Sequence, residues 1–115
     1  MMYIDGFVAA VPAANKDKYV EMSKGYADYC KGLGAIKIVE CWGDDVPDGK
    51  LTSFPMAVKL EEGEVVVFSW VEWPDKATRD AANQKMMSDP EMAKMEMPFD
   101  GKRMIYGGFQ PLREV

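Results

Sequence analysis

Two carboxylates stand where their chemistry could matter. Glu40 lies in the run Ala35–Trp42, where Ile36, Ile38, Glu40 and Trp42 alternate onto one face of a strand. A carboxylate on a mostly apolar face is the kind of group that serves as a general acid or base. The plainer reading is a glutamate at a strand end, paired or solvated beside a turn. Asp5 interrupts an apolar N-terminal run. Pointing inward it needs a cation, which Arg103 or Lys102 could supply, and a structural ion pair is the ordinary outcome. Asn83 follows Ala82 and lies close to Met86 in a helix-spaced segment, where it could bond a substrate carbonyl or hydroxyl or simply face solvent. Trp42, Trp70 and Trp73 could line a flat aromatic pocket, or serve as core or dimer interface. The turn Phe99-Asp100-Gly101-Lys102-Arg103 puts successive amides beside two cations, so Arg103 is also a candidate ligand contact for a small anion. Asp100 opposes that use, and a plain exposed turn is the simpler reading. Asp44, Asp45 and Asp48 lack the spacing and closing glutamate of a calcium loop and read as a solvated turn.

The absent residue type excludes more than the present ones allow. The 115 residues contain no histidine. Histidine-based triads and histidine-ligated zinc, non-haem iron or haem are therefore removed, and no metal or cofactor is expected. A net charge of −5 without a Lys/Arg cluster makes nucleic acid and anionic membrane poor partners. No apolar run approaches the roughly 20 residues that span a bilayer. The N-terminal apolar stretch reads as a strand, not a signal peptide. Cys30 and Cys41 lack a CxxC spacing and are expected to be reduced, mostly buried thiols of a cytoplasmic protein. The length suits a single domain over residues 1–115, and 48% hydrophobic residues suffice for a core without a staple.

The elements that must position these residues can be read from periodicity. Met2–Val11 reads as a strand stopped by Pro12. Asn15 can cap a helix whose inward positions are Tyr19, Met22, Tyr26, Tyr29, Cys30 and Leu33. Ala35–Trp42 is a second strand. Ser53 can cap a short helix through Pro55–Leu60, ended near Gly63, with an extra strand as the competing reading. Val65–Trp73 is a strand that is apolar on both faces, with Val65, Val67, Val71 and Trp73 on one and Val66, Phe68 and Trp70 on the other. Asp75 caps a helix to about Met87, with Ala77, Ala81, Ala82 and Met86 inward. Asp89-Pro90 starts another helical turn. The last strand spans about Lys102–Gln110, where Gly107-Gly108 suggest a bulge or a close backbone approach. Six of the ten methionines fall between Asn83 and Met104, which reads as an adaptable plug, or a lid, over one end of the fold.

The order strand–helix–strand–strand–helix–strand is that of an α+β, ferredoxin-like βαββαβ fold: an antiparallel sheet with both helices on one face. Two helices cover only one face of such a sheet, yet Val65–Trp73 is apolar on both. A second copy of the sheet is the simplest cover, so a homodimer through the open sheet face is expected.

Four stretches, YIDGFVAAVP, IVECWGDDVPDGK, VVFSWVEWPDKATRDAANQKMMSDP and MPFDGKRMIYGGF, give the chain a close resemblance to the YbaA-like proteins, an uncharacterised bacterial family of the dimeric α+β barrel superfamily. The resemblance covers essentially the whole chain and implies the same fold and a dimer. It implies no activity. The wider superfamily includes cofactor-independent monooxygenases acting on polycyclic phenols, haem-degrading enzymes and small isomerases, usually with the site between sheet and helices. Without histidine, haem chemistry of the usual kind does not carry across.

Three functional expectations follow. The first is a small metal-free enzyme, oxygenase- or isomerase-like, acting on a small hydrophobic molecule, with Glu40 or Asp5 transferring protons and Asn83 and the tryptophans positioning substrate. The second is a non-catalytic binding module using the same pocket. The third is a fully packed dimer without a ligand.

Overall fold

Alternation and β-branching place the strands. In the computed structural model, which describes residues 1–115, four strands form one antiparallel sheet in the order β2-β3-β1-β4. They are β1 (Tyr3–Pro12), β2 (Lys37–Trp42), β3 (Glu64–Trp73) and β4 (Ile105–Phe109). The two ten-residue strands, apolar on both faces, take the centre. The short β2 and β4 are the edges, where unpaired backbone can meet solvent. The helices are α1 (Lys16–Gly32), α2 (Phe54–Ala57), α3 (Lys76–Ser88) and α4 (Pro90–Ala93). None is long and apolar enough to cross a membrane.

The face of β3 bearing Val67, Ser69, Val71 and Trp73 packs against α1 and α3. Val71 and Trp73 join Tyr3, Cys30, Ala35 and Ala82 in one cluster, and Val67 joins Ala9, Val11 and Tyr19 in another. A fully buried side chain such as Val67 or Val71 contributes roughly 1.5–3 kcal/mol by leaving water. The second face was expected to be bare, but one end is covered from within the chain. Val58, at the end of α2, packs with Val8, Ala10 and Val66. The rest stays open, with Phe68, Ile105 and Phe109 at 42%, 45% and 60% exposure.

Local signals hold where the cause is local. Ser53, Asp75 and Asp89 each cap a helix with a side-chain oxygen, accepting from the amides of Met56, Thr78 and Glu91. Gly63 takes a left-handed conformation before β3. Other expectations are corrected. Asn15 occupies the cap position of α1, but its side-chain amide donates to the Pro98 carbonyl at 2.9 Å instead. Ala77 and Ala81 are exposed, because α3 turns Arg79, Ala82 and Met86 towards the sheet. The last strand begins only at Ile105, because Asp100 caps a 3-10 turn over Gly101–Arg103. Gly107-Gly108 forms no bulge, since the register with β1 is unbroken. Gly108 serves a close approach, because a Cβ there would collide with the Tyr3 hydroxyl and the Arg79 guanidinium. Cys30 is buried, whereas Cys41 is exposed on the edge strand.

Candidate functional site

Register brings three strands' side chains into one row. Phe7 of β1 lies opposite Ser69 of β3, which lies opposite Glu40 of β2. All three point to the face covered by α1. Ser69 and the nearby Ala9 are small and buried, so the sheet fails to fill the space beneath the helix. The result is a cavity of about 210 Å³. Tyr19, Met22 and Tyr26, on one face of α1, form a wall, as their helical spacing requires. Met92 of α4, followed by Met95, Met97, Phe99 and Met104, forms the roof. Ten of the twelve lining residues are hydrophobic, and Glu40 is the only carboxylate among them.

The roof is tied to both ends of α1. The Tyr29 hydroxyl donates to Asp89 Oδ2 at 2.7 Å before the methionine segment, and Asn15 bonds the Pro98 carbonyl after it. The methionine-rich run thus lies over a partly open cavity and not over a filled core.

Glu40 is held by neutral donors. Tyr19 Oη donates to Oε1 at 2.5 Å, and Ser23 Oγ, one helical turn further on, donates to Oε2. Burial, then the hydrogen bond to Glu40 and its negative charge, push the Tyr19 phenol well above its ordinary range. Burial pushes Tyr26 up as well, helped by Cys30 and by the charges of Asp5 and Glu40. Both phenols keep their protons at neutral pH. Five ion pairs join side chains of this protein, and Glu40 belongs to none of them.

The other residues singled out from the sequence lie elsewhere. Asp5 is buried on the same sheet face, but its cation is Arg79, at 2.9 Å, and not Arg103 or Lys102. The Trp73 indole also donates to Asp5 at 3.0 Å, and Arg79 lies over the Tyr3 ring. The antiparallel pairing explains the substitution of partner. Asp5 sits opposite Gly108, whereas Arg103 precedes β4 at the other end of β1. There Arg103 pairs bidentately with Glu64, both contacts at 2.7 Å, and also bonds Asp100. The Asp100 carboxylate occupies the turn amide that an anion would need. Trp70 is on the opposite sheet face from Glu40, because adjacent strand residues alternate; its indole donates to Glu72 and its ring meets Phe68 edge-on. Trp42 shares Glu40's face but packs in the neighbouring cluster under Lys16, outside the cavity. Asn83 is half-buried on α3 and does not line the cavity.

Tyr19, Ser23, Ser69 and Arg79 were missed as functional positions. One of them left a signal: Ser69 is the only small polar residue on the otherwise apolar face Val65, Val67, Val71, Trp73.

Sheet order, helix placement and this site define a ferredoxin-like α+β protein with an apolar, partly open cavity, roofed by methionines, beside one carboxylate. The chain belongs to the family described as protein of unknown function, DUF1428, whose model matches residues 2–101. It is 64% identical over 114 residues to the uncharacterized protein YbaA of Escherichia coli K12, covering 97% of each chain, and equally similar to YbaA of Shigella flexneri. Among solved structures, a dimeric ferredoxin-like protein from an uncultured marine organism matches over 99% of this chain and 98% of its own, with a TM-score of 0.63 and 11% identity.

Proposed function

We propose that the protein is a homodimer whose protomers, each one functional unit over residues 1–115, bind a compact hydrophobic molecule in the cavity beneath α1. The observation that carries this is the cavity itself: about 210 Å³, apolar, with a single carboxylate in its wall. An apolar protein cavity of about 150 Å³ holds benzene, so one substituted ring is the fitting size. Five methionines in the lining let the walls adjust to such a guest. The uncovered side of the sheet and the dimeric description of the similar fold support the homodimer. The unpaired Cys30 and the exposed, unpaired Cys41 fit the reducing cytoplasm.

Catalysis is the second reading, favoured by Glu40 standing alone at the wall, where it would take a proton from a bound substrate. A ligand-observed screen of single-ring compounds tests the first reading, with Ala9→Leu as the cavity-filling control. Binding that Ala9→Leu abolishes, while the fold survives, is the expected result. Equal binding by wild type and Ala9→Leu sinks it. Recovery of a bound ligand chemically unchanged removes the catalytic reading for that compound.

A further inference from the structure

The charge arrangement around the cavity narrows the ligand. The carboxylates of Asp5 and Glu64, at 9% and 7% side-chain exposure, each face an arginine, Arg79 and Arg103. Glu40, partly buried in a mostly apolar wall, faces none. Its oxygens receive only the hydroxyl protons of Tyr19 and Ser23. Each carboxylate oxygen has a further acceptor site, so these bonds fix the group without exhausting it. No lysine or arginine lines the cavity, so an anionic guest would meet Glu40 with no compensating charge.

We propose that the cavity takes a small organic cation: a protonated primary amine on a single ring, or on an apolar body of similar size, with its ammonium against Glu40. This rests on the cavity being a ligand site, and adds that the guest supplies the counter-charge the protein omits. An ammonium carries three donors. Glu40 takes one, and the Ser69 hydroxyl, opposite it in the strand register, can accept another. The rings of Phe7, Tyr26 and Phe99 in the lining favour a cation through their quadrupoles, and the thioethers of the roof add weak, polarisable acceptors. The apolar remainder of the guest fills the space left by Ala9 and Ser69.

Four matched probes test this by calorimetry on the full-length protein: benzylamine, benzyl alcohol, toluene and benzoate. Charge-assisted hydrogen bonds are roughly twice as strong as neutral ones, so benzylamine is expected to bind about tenfold tighter than benzyl alcohol, with benzoate weakest. One site per protomer, lost in Ala9→Leu, separates this from loose attraction of amines to an acidic surface. Glu40→Gln, which keeps one acceptor oxygen and puts an NH2 donor where a hydroxyl can accept, is expected to erase the preference for the amine. If benzyl alcohol, toluene or benzoate binds wild type as tightly as benzylamine, the cation assignment is overturned while the ligand site stands. If none of the four binds, both fail. The wild-type ranking decides even where Glu40→Gln does not fold, and a folded Glu40→Gln that retains the amine preference overturns the role given to Glu40.

Discussion

Glu40 owes its position to Tyr19 and Ser23, which donate to its two oxygens. The phenol of Tyr19 is raised above its ordinary value of 10.0, chiefly by burial and then by the carboxylate it serves. The unfolded chain therefore ionises first on the alkaline side. The stability this contributes is fully present below about pH 10 and is lost as pH rises from there towards the folded value. Tyr19→Phe is expected to flatten that alkaline limb in pH-dependent urea melts. At neutral pH the lost hydrogen bond to a charged acceptor costs about 1.5–3 kcal/mol. An unchanged alkaline limb would count against this assignment. The Asp5–Arg79 pair works differently. Its side chains are 9% and 19% exposed, so removing one partner strands a charge in a poorly hydrated place. Arg79→Met is expected to cost about 3 kcal/mol in urea denaturation. Arg79→Met within 1 kcal/mol of wild type, on the order of a surface substitution, would show that water reaches Asp5 freely.

The methionine segment acts as an element in its own right, tied at one end by Tyr29 to Asp89 and at the other by Asn15 to the Pro98 carbonyl. Few backbone bonds hold it between those ties, so it belongs to the low-stability end of the fold. Cutting both ties, with Tyr29→Phe and Asn15→Ala together, is expected to speed amide exchange across residues 90–99 while β1 and β3 stay protected. Exchange that accelerates equally everywhere would mean the ties hold the whole fold, not the roof alone. These ties also mark the limit of what the sequence disclosed. Caps at Ser53, Asp75 and Asp89 were legible because cause and effect lie within three residues. The alternation of β3 was legible too, although not the consequence of the small Ser69, which leaves room for the cavity only once Ala9 lies beside it. Asn15 with Pro98, Arg79 with Asp5 and Tyr19 with Glu40 lie 83, 74 and 21 residues apart. Those pairings depend on strand order and helix placement, which no local pattern encodes. Trp70 needs no long-range pairing to be placed: alternation along β3 sets it on the face opposite Ser69, away from Glu40.

At the scale of the whole molecule, the sheet separates two apolar surfaces with different uses. One encloses the cavity under α1. The other, partly sealed by α2, leaves Phe68, Ile105 and Phe109 exposed, and a face-to-face homodimer is the proposed cover. Light scattering on wild type at micromolar concentration is expected to give twice the 12.9 kDa chain mass, and Phe68→Lys with Phe109→Lys to give the monomer. A wild-type monomer would remove the dimer but not the cavity. Ligand binding in the cavity is tested most directly by methionine methyl spectroscopy, because five methionines line the space and Met1 and Met87 lie exposed outside it. On titration with benzylamine and with toluene, the methyl signals of Met22, Met92, Met95, Met97 and Met104 are expected to shift together and saturate, while Met1 and Met87 stay still. Signals that do not move, or that move only at Met1 and Met87, would contradict the claim.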